Sequence, residues 1–483
     1  MLFNSLEFSI FLPVVFIIFW LINQRNLTTR NIFLLIASYF FYGWWDWRFL
    51  FLILLSTLVD YFIGLQIEKS NNLKKSKILL SISLAVNLGV LFYFKYFNFF
   101  IESFKEAFTL FGSNFESSRL DIILPVGISF YTFQTLSYTI DVYRKQLKAE
   151  PNLIVFGTYV SFFPQLVAGP IERATNLLPQ FNETKKFDYD LAKSGLQLML
   201  WGFFKKIVIA DNCAVFANLI FNNHLDYNYG SLFLGSLFFT FQIYGDFSGY
   251  SDIAIGTARL FGFKLMRNFA FPYFSRDIAE FWRRWHISLS TWFRDYLYIP
   301  LGGSRGSTSK KIRNTFIIFI VSGFWHGANW TYIVWGALNA LYFMPLMLLG
   351  KNRQNLGIIG DGKLFVSLRE LLPMLVTFFL TVLAWIFFRS ESIEQASEIT
   401  VRIVTFYNKA PTAFIFSKKV WLVIIYILFF LCIEWIGRTK ENPIVFNHKL
   451  PKFLVWIFYI LLGVAILDNF GNSSSQEFIY FDF

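Results

Sequence analysis

Apolar residues run in long, nearly unbroken stretches from one end of this chain to the other, and nothing else in the sequence limits the fold so strongly. Stretches at roughly 8–23, 31–45, 48–66, 78–100, 122–140 and 153–169 follow one another closely, and others fall at 371–388, 419–437 and 452–468. Runs of this length and polarity read as membrane-spanning helices. Of the 483 residues, 55% are hydrophobic and 15% charged, well outside the balance of a soluble domain. A soluble protein with this surface would aggregate. Aromatics make up 21%, which fits Trp and Tyr gathering at the two water interfaces.

The net charge of +12 does not point to nucleic acid, because Lys and Arg fall mostly between the apolar runs. Arg25 and Arg30 follow the first run, Lys69, Lys74, Lys75 and Lys77 the third, and Arg144, Lys145 and Lys148 the fifth. If each run crosses once, these basic linkers share one side, the cytoplasm, and the N-terminus starts outside. A tight turn is expected at Asp46–Arg48. The excess positive charge then reads as topology plus contact with anionic lipid or a phosphate-bearing substrate. Cys213 and Cys432 give neither a disulfide framework nor zinc spacing. Phe8–Asn23 has Glu7 before it and no small-residue cleavage site, so it reads as a retained first span.

Three segments carry unexpected polarity. Residues 124–144, LPVGISFYTFQTLSYTIDVYR, place Ser129, Gln134, Ser137, Thr139 and Asp141 in one span, where helix–helix hydrogen bonding is the plainer reading of the Ser and Thr. Residues 162–173, FFPQLVAGPIER, should break a helix at Pro164, Gly169 and Pro170 and expose a charged pair. In QIYGDFSGYSD, residues 242–252, Asp246 and Asp252 lie in an apolar neighbourhood and need partners. An ion pair with nearby Arg or Lys has the edge, and a role in shaping a tunnel or holding His286 stays open. The linker at 172–194 reads as polar.

The chemistry concentrates in residues 281–330, which hold His286 and His326, two of the chain's four histidines. Between 264 and 313 there are ten Lys and Arg against three Asp and Glu, which marks a cytoplasmic region. Trp282, Trp285, Leu289, Phe293 and Tyr296 recur at steps of three and four, and Arg283 and Arg294 share the other face. That pattern predicts one helix lying in the interface plane. A plain lipid anchor explains the stripe but not His286. Pro300–Gly306, PLGGSRG, is a loop whose Gly302, Gly303 and Arg305 could meet a phosphate or carbonyl, although an ordinary turn explains it as well.

Thr315–Trp325 has eleven residues, about 16 Å as a helix and roughly half of a 30 Å hydrocarbon core. If it starts at the cytoplasmic edge after Arg313, His326 lies near mid-depth, in a break loosened by Gly323 and Gly327. Irregular backbone at that depth is tolerated only inside protein or beside a cavity, so a cavity is expected around His326. Trp325 and Asn329 flank it and, with Asp246, are further substrate-binding candidates. No metal-ligand spacing and no tightly bound cofactor is expected.

The segments quoted above, with QIYGDFSGYSDIAIGTARLFGF, FWRRWHISLSTWFRDYLYIPLGGSRG and GFWHGANW, resemble the membrane-bound O-acyltransferase superfamily, and most closely its bacterial alginate O-acetyltransferase-like branch. They cover about 124–336 in the right order. The resemblance implies an all-α polytopic bundle, with interfacial and re-entrant helices enclosing a tunnel, in a single membrane domain over 1–483. It implies that His326 is the essential catalytic histidine and that His286 matches its companion. It also implies a cytoplasmic acyl-thioester donor such as acetyl-CoA, an extracytoplasmic acetyltransferase-type partner protein, a polysaccharide acceptor and a place in the cytoplasmic membrane. Arg283, Arg284 and Arg305 are the candidates for the donor's phosphates. D-alanyl or other short-acyl transfer to a cell-surface polymer is the alternative. A transporter is the remaining rival, and the inverted repeats it predicts are not seen.

Overall fold

The computed structural model describes residues 1–23, 26–110, 120–167, 169–407, 417–446, 451–470 and 478–479. Among these, the regular elements are all helical. Among the described residues, six apolar helical stretches are long enough to cross a membrane: Leu27–Lys69, Leu73–Thr109, Trp330–Leu348, Leu368–Arg389, Lys418–Gly437 and Lys452–Asn469. At 1.5 Å per residue the shortest, of 18 residues, is about 27 Å long. The chain is therefore a multi-pass membrane protein. The expected turn divides Leu27–Lys69 at the short 3₁₀ segment Trp47–Phe49, where Asp46 Oδ1 accepts from the Arg48 amide at 2.9 Å. Arg25, and nearly all of the polar and aromatic tail after Phe470, lie outside the described residues.

The described chain packs as two compact units, Met1–Ala192 with Thr257–Met266, and Lys193–Gly256 with Arg267–Phe483. In the first, helix Ile128–Tyr143 is almost entirely buried. Of the hydroxyls the sequence singled out, Thr139 bridges helices, to a group the sequence did not flag, whereas Ser137 Oγ donates to the Gln134 carbonyl of its own helix at 2.7 Å. Asp60, with 0% exposure, accepts from Thr139 Oγ1 at 2.7 Å and Asn87 Nδ2 at 2.8 Å, and from Ser83 Oγ. Ser56 Oγ sits 3.1 Å from Thr135 Oγ1.

The stretch 153–169 does not form one span. It gives a nine-residue helix, Leu153–Ser161, and a four-residue turn, Phe163–Leu166, divided at Phe162 just ahead of Pro164. About 14 Å of helix cannot cross a 30 Å core. Arg30 is no linker charge either: it lies inside helix Leu27–Asp46 at 0% exposure and donates to the carbonyls of Phe181 and Glu183. Glu172, expected to be exposed, is buried, with its carboxylate accepting from the Met266 amide and, at 2.7 Å, from Asn176 Nδ2. The linker around it contains helix Ala174–Phe181.

In the second unit, helix Tyr229–Leu260 packs backbone to backbone on the segment before it. A Cβ on Gly249 would lie 2.8 Å from the Gly202 carbonyl oxygen, and one on Gly245 2.9 Å from that of Lys205. Phe204–Ala210 is a π-helical segment, and it turns two successive lysines toward this helix. Helices Thr308–His326 and Trp330–Leu348 form a tight hairpin. A Cβ on Gly323 would sit 2.2 Å from the Tyr332 oxygen, and one on Gly336 2.3 Å from the Phe319 oxygen. Gly323 thus serves close approach inside a continuous helix rather than loosening a break, as expected of small residues between membrane helices.

Candidate active site

The aromatic stripe at 282–296 predicts one helix, but the structure breaks it at His286. Helix Ile278–Arg284 ends there and helix Ile287–Phe293 begins, with His286 at φ 43° and ψ 56° in the left-handed region. For a side chain with a Cβ this conformation costs on the order of 1 kcal/mol, so surrounding structure must hold it. Asn268 does so: its carbonyl accepts from the Ile287 amide at 2.9 Å and its Oδ1 from Ser288 Oγ at 3.0 Å. The same Oδ1 lies 3.0 Å from His286 Nδ1. Sequence reasoning missed Asn268, which lies eighteen residues from His286 with no spacing to mark it.

His286 is 1% exposed and His326 2%. Helix Thr308–His326 delivers His326 at its last residue, and the Gly327 that follows leaves room for Tyr332, whose ring would lie 2.1 Å from a Cβ there. The helix starts seven residues before Thr315, so the half-length helix read from the apolar run is a full one of 19 residues.

The two imidazoles face a common wall of rings. Their centroids are 6.4 Å apart, and Trp325 is 6.0 Å from His286 and 5.0 Å from His326. Phe247 meets His286 edge-on at 4.5 Å, while Trp335 and Phe388 flank His326 at 5.2 and 5.4 Å. Phe247, Trp335 and Phe388 were not singled out in the sequence, since aromatics are everywhere in it. Burial pushes His286 well below its ordinary pKa range, so its imidazole is neutral near physiological pH. Two buried imidazoles in an aromatic enclosure suit proton transfer to and from a hydroxyl nucleophile.

The other sequence candidates lie elsewhere. Arg283 donates to the Asn352 and Asn355 carbonyls at 2.9 and 2.8 Å. Arg284 pairs with buried Glu280 at 2.8 Å and reaches the Gly357 carbonyl at 3.1 Å. Both guanidinium groups thus hold the 352–357 loop against helix Ile278–Arg284. Asn329 caps helix Trp330–Leu348 by accepting from the Thr331 amide at 2.9 Å. Arg305 is exposed on the Gly302–Gly306 turn. Asp246 finds a lysine: Lys206 Nζ lies 2.8 Å from its Oδ1 and 2.9 Å from Asp211, and the Ile479 amide donates to Oδ2 at 2.7 Å. Lys205 pairs with Asp252 at 2.6 Å. Asp246 precedes Phe247, so its ion pair stands one residue behind the ring that meets His286. Among the described residues no group of three or more His, Cys, Asp or Glu could hold a metal ion.

The sequence profile of the membrane-bound O-acyltransferase family matches residues 143–361, a span that contains both histidines. A Pseudomonas aeruginosa protein named "Probable alginate O-acetylase AlgI" is 44% identical over 400 residues, covering 82% of this chain and 73% of that one. This chain belongs to the membrane-bound O-acyltransferase family. A protein of the same name from Pseudomonas putida is 37% identical over the whole of both chains. A Helicobacter pylori "Peptidoglycan O-acetyltransferase" is 35% identical over 97% of this acyltransferase and 90% of its own length. The enzyme is therefore a multi-pass membrane O-acyltransferase.

Proposed function

We propose that this acyltransferase takes an acetyl group from a cytoplasmic acyl-thioester donor, acetyl-CoA being the expected form, and passes it across the cytoplasmic membrane for O-acetylation of an extracytoplasmic polysaccharide. The observation that carries the reading is the pair of buried imidazoles 6.4 Å apart, with Trp325 against both. His326 acts as general base. It takes the proton of the acceptor hydroxyl as that oxygen attacks the thioester carbonyl, and returns it to the sulfur as the C–S bond breaks. His286 supports the step from the facing side. The G-x-S-x-G match at Gly302–Gly306 is an exposed turn before helix Thr308–His326, whose 19 residues, about 27 Å of helix, separate Ser304 from the buried His326, so transfer is direct rather than through a serine ester. Since Arg283 and Arg284 are engaged with the 352–357 loop, exposed Arg305 is the remaining candidate of the three for the donor's phosphates. An extracytoplasmic acetyltransferase-type protein completes the delivery.

The names of the Pseudomonas and Helicobacter relatives support a polymer acceptor and an acetyl group, but they differ in the polymer. A deletion strain complemented with wild type or His326→Ala tests the proposal, with ester-linked acetyl measured by mass spectrometry on isolated exopolysaccharide and on peptidoglycan. Acetyl should vanish from one polymer and return only with wild type, while both proteins accumulate equally. Normal acetylation with His326→Ala sinks the catalytic assignment. Loss of a D-alanyl or other acyl substituent instead of acetyl would favour the short-acyl alternative.

A further inference from the structure

The contacts of Asn268 fix more than the shape of a turn. Its amide orientation is determined by its neighbours. The Ser288 backbone amide can only donate, and it faces Oδ1 at 3.4 Å. The opposite atom, Nδ2, donates to Ser251 Oγ at 3.1 Å. Oδ1 is therefore an acceptor, and it also takes the Ser288 hydroxyl at 3.0 Å. A ring nitrogen 3.0 Å from such an oxygen must carry hydrogen, because two facing lone pairs repel. In a neutral imidazole a proton on Nδ1 leaves the lone pair on Nε2.

We propose that Asn268 is a positioning residue that locks His286 in the Nδ1–H tautomer, so that the ring offers an Nε2 lone pair to the acyl-transfer step. The proposal rests on the reading of His286 as part of that site. The distances favour it over simple turn bracing. The Ile287 and Ser288 amides alone would brace the turn, whereas the bond to Nδ1 adds nothing to the main chain. Few other titratable groups compete for the ring. His326 faces it from helix Thr308–His326. On helix Tyr229–Leu260, Asp246 is taken up by Lys206 and the Ile479 amide, and on helix Ile278–Arg284, Glu280 is held by Arg276 and Arg284.

The test uses the full-length acyltransferase in lipid nanodiscs, ¹⁵N-labelled at histidine, with His286→Gln to assign the ring signals. Wild type should show His286 protonated at Nδ1 and bare at Nε2. Asn268→Leu should populate the Nε2–H form and lower kcat roughly tenfold or more. Asn268→Asp keeps the accepting oxygen and the turn, but places a carboxylate beside Nδ1 that favours imidazolium. The acid limb of its transfer-rate profile should move to higher pH by about one unit, a change that a merely structural role would not produce. A wild-type His286 protonated at Nε2, or an unmoved limb in Asn268→Asp, overturns the tautomer assignment. Full transfer by His286→Gln would instead overturn the underlying reading of His286 together with this role.

Discussion

Trp325 touches both imidazoles of the site, 6.0 Å from His286 and 5.0 Å from His326, although the two histidines are forty residues apart, one in the break between two short helices and the other at the end of a third. The indole fixes their relation. It packs edge-on to each ring, the arrangement that aromatic quadrupoles favour.

Replacing Trp325 with Leu keeps an apolar side chain but removes both ring contacts. At about 0.5–1.5 kcal/mol per aromatic pair, the loss amounts to about 1–3 kcal/mol of positioning. Transfer by the purified enzyme should fall about tenfold to a hundredfold in kcat/KM, with membrane accumulation unchanged. Wild-type kinetics in this variant would show that the indole only fills space.

The hairpin that delivers His326 depends on two glycines. Gly323→Val and Gly336→Val each force a side chain into an opposing carbonyl now 2.2–2.3 Å from the Cβ position, so the helices must separate. Overpacking of this kind costs about 1–3 kcal/mol or more. Thermal unfolding of the detergent-purified variants should occur at clearly lower temperature, with activity reduced. Gly463, on helix Lys452–Asn469, has nothing within 4 Å of its Cβ position. Gly463→Ala should therefore leave both melting and activity intact. Equal damage at Gly463 and Gly323 would contradict the packing described.

The parts of this site that the sequence revealed are those where chemistry clashes with its setting. An imidazole or a carboxylate in an apolar run stands out, so His286, His326 and Asp246 were visible. What satisfies them was not. The need of Asp246 for a cation could be read, but Lys206 reaches it through a π-helical segment that side-chain periodicity does not announce. Asn268 looks like any turn asparagine, and only folding brings it to Nδ1 of His286. The break at His286 was hidden because the aromatic spacing continues across it, each short helix burying the same face. Span boundaries suffered from the opposite error: apolarity alone joined Leu153–Ser161 to the turn beyond Phe162, though Pro164 marked the limit.

Lys206 is the sole cation paired with both Asp246 and Asp211 among the described ion pairs, and all three side chains are nearly inaccessible. Lys206→Met removes the positive charge and leaves two carboxylates facing each other. Breaking a buried pair from one side costs about 3–5 kcal/mol, so the variant should accumulate poorly or melt far below wild type. Adding Asp246→Asn and Asp211→Asn should recover much of the loss by removing the stranded charge. A single variant as stable as wild type would mean the cluster is solvated.

Glu172 gives the acyltransferase a pH-dependent stability that the sequence did not foreshadow. Burial raises its pKa to about 7, while the Met266 amide, Asn176 and the nearby Arg173 charge lower it without offsetting the effect. The folded protein thus binds this proton more tightly than the unfolded chain, where the carboxyl titrates near 4.5. Stability contributed by the proton is present below pH 4.5, declines between about 4.5 and 7, and is absent above. Melting of the purified enzyme in detergent, followed from pH 5 to pH 8, should therefore include a component that falls with rising pH. Glu172→Gln keeps the shape and an oxygen that accepts from the Met266 amide, and its NH2 can donate to Asn176 Oδ1 once that amide turns over, but it cannot titrate. Its melting temperature should vary less over this interval, and at pH 8 it should equal or exceed that of wild type. Parallel curves for the two proteins would place the titration elsewhere and leave Glu172 ionised throughout, held by the groups that surround it.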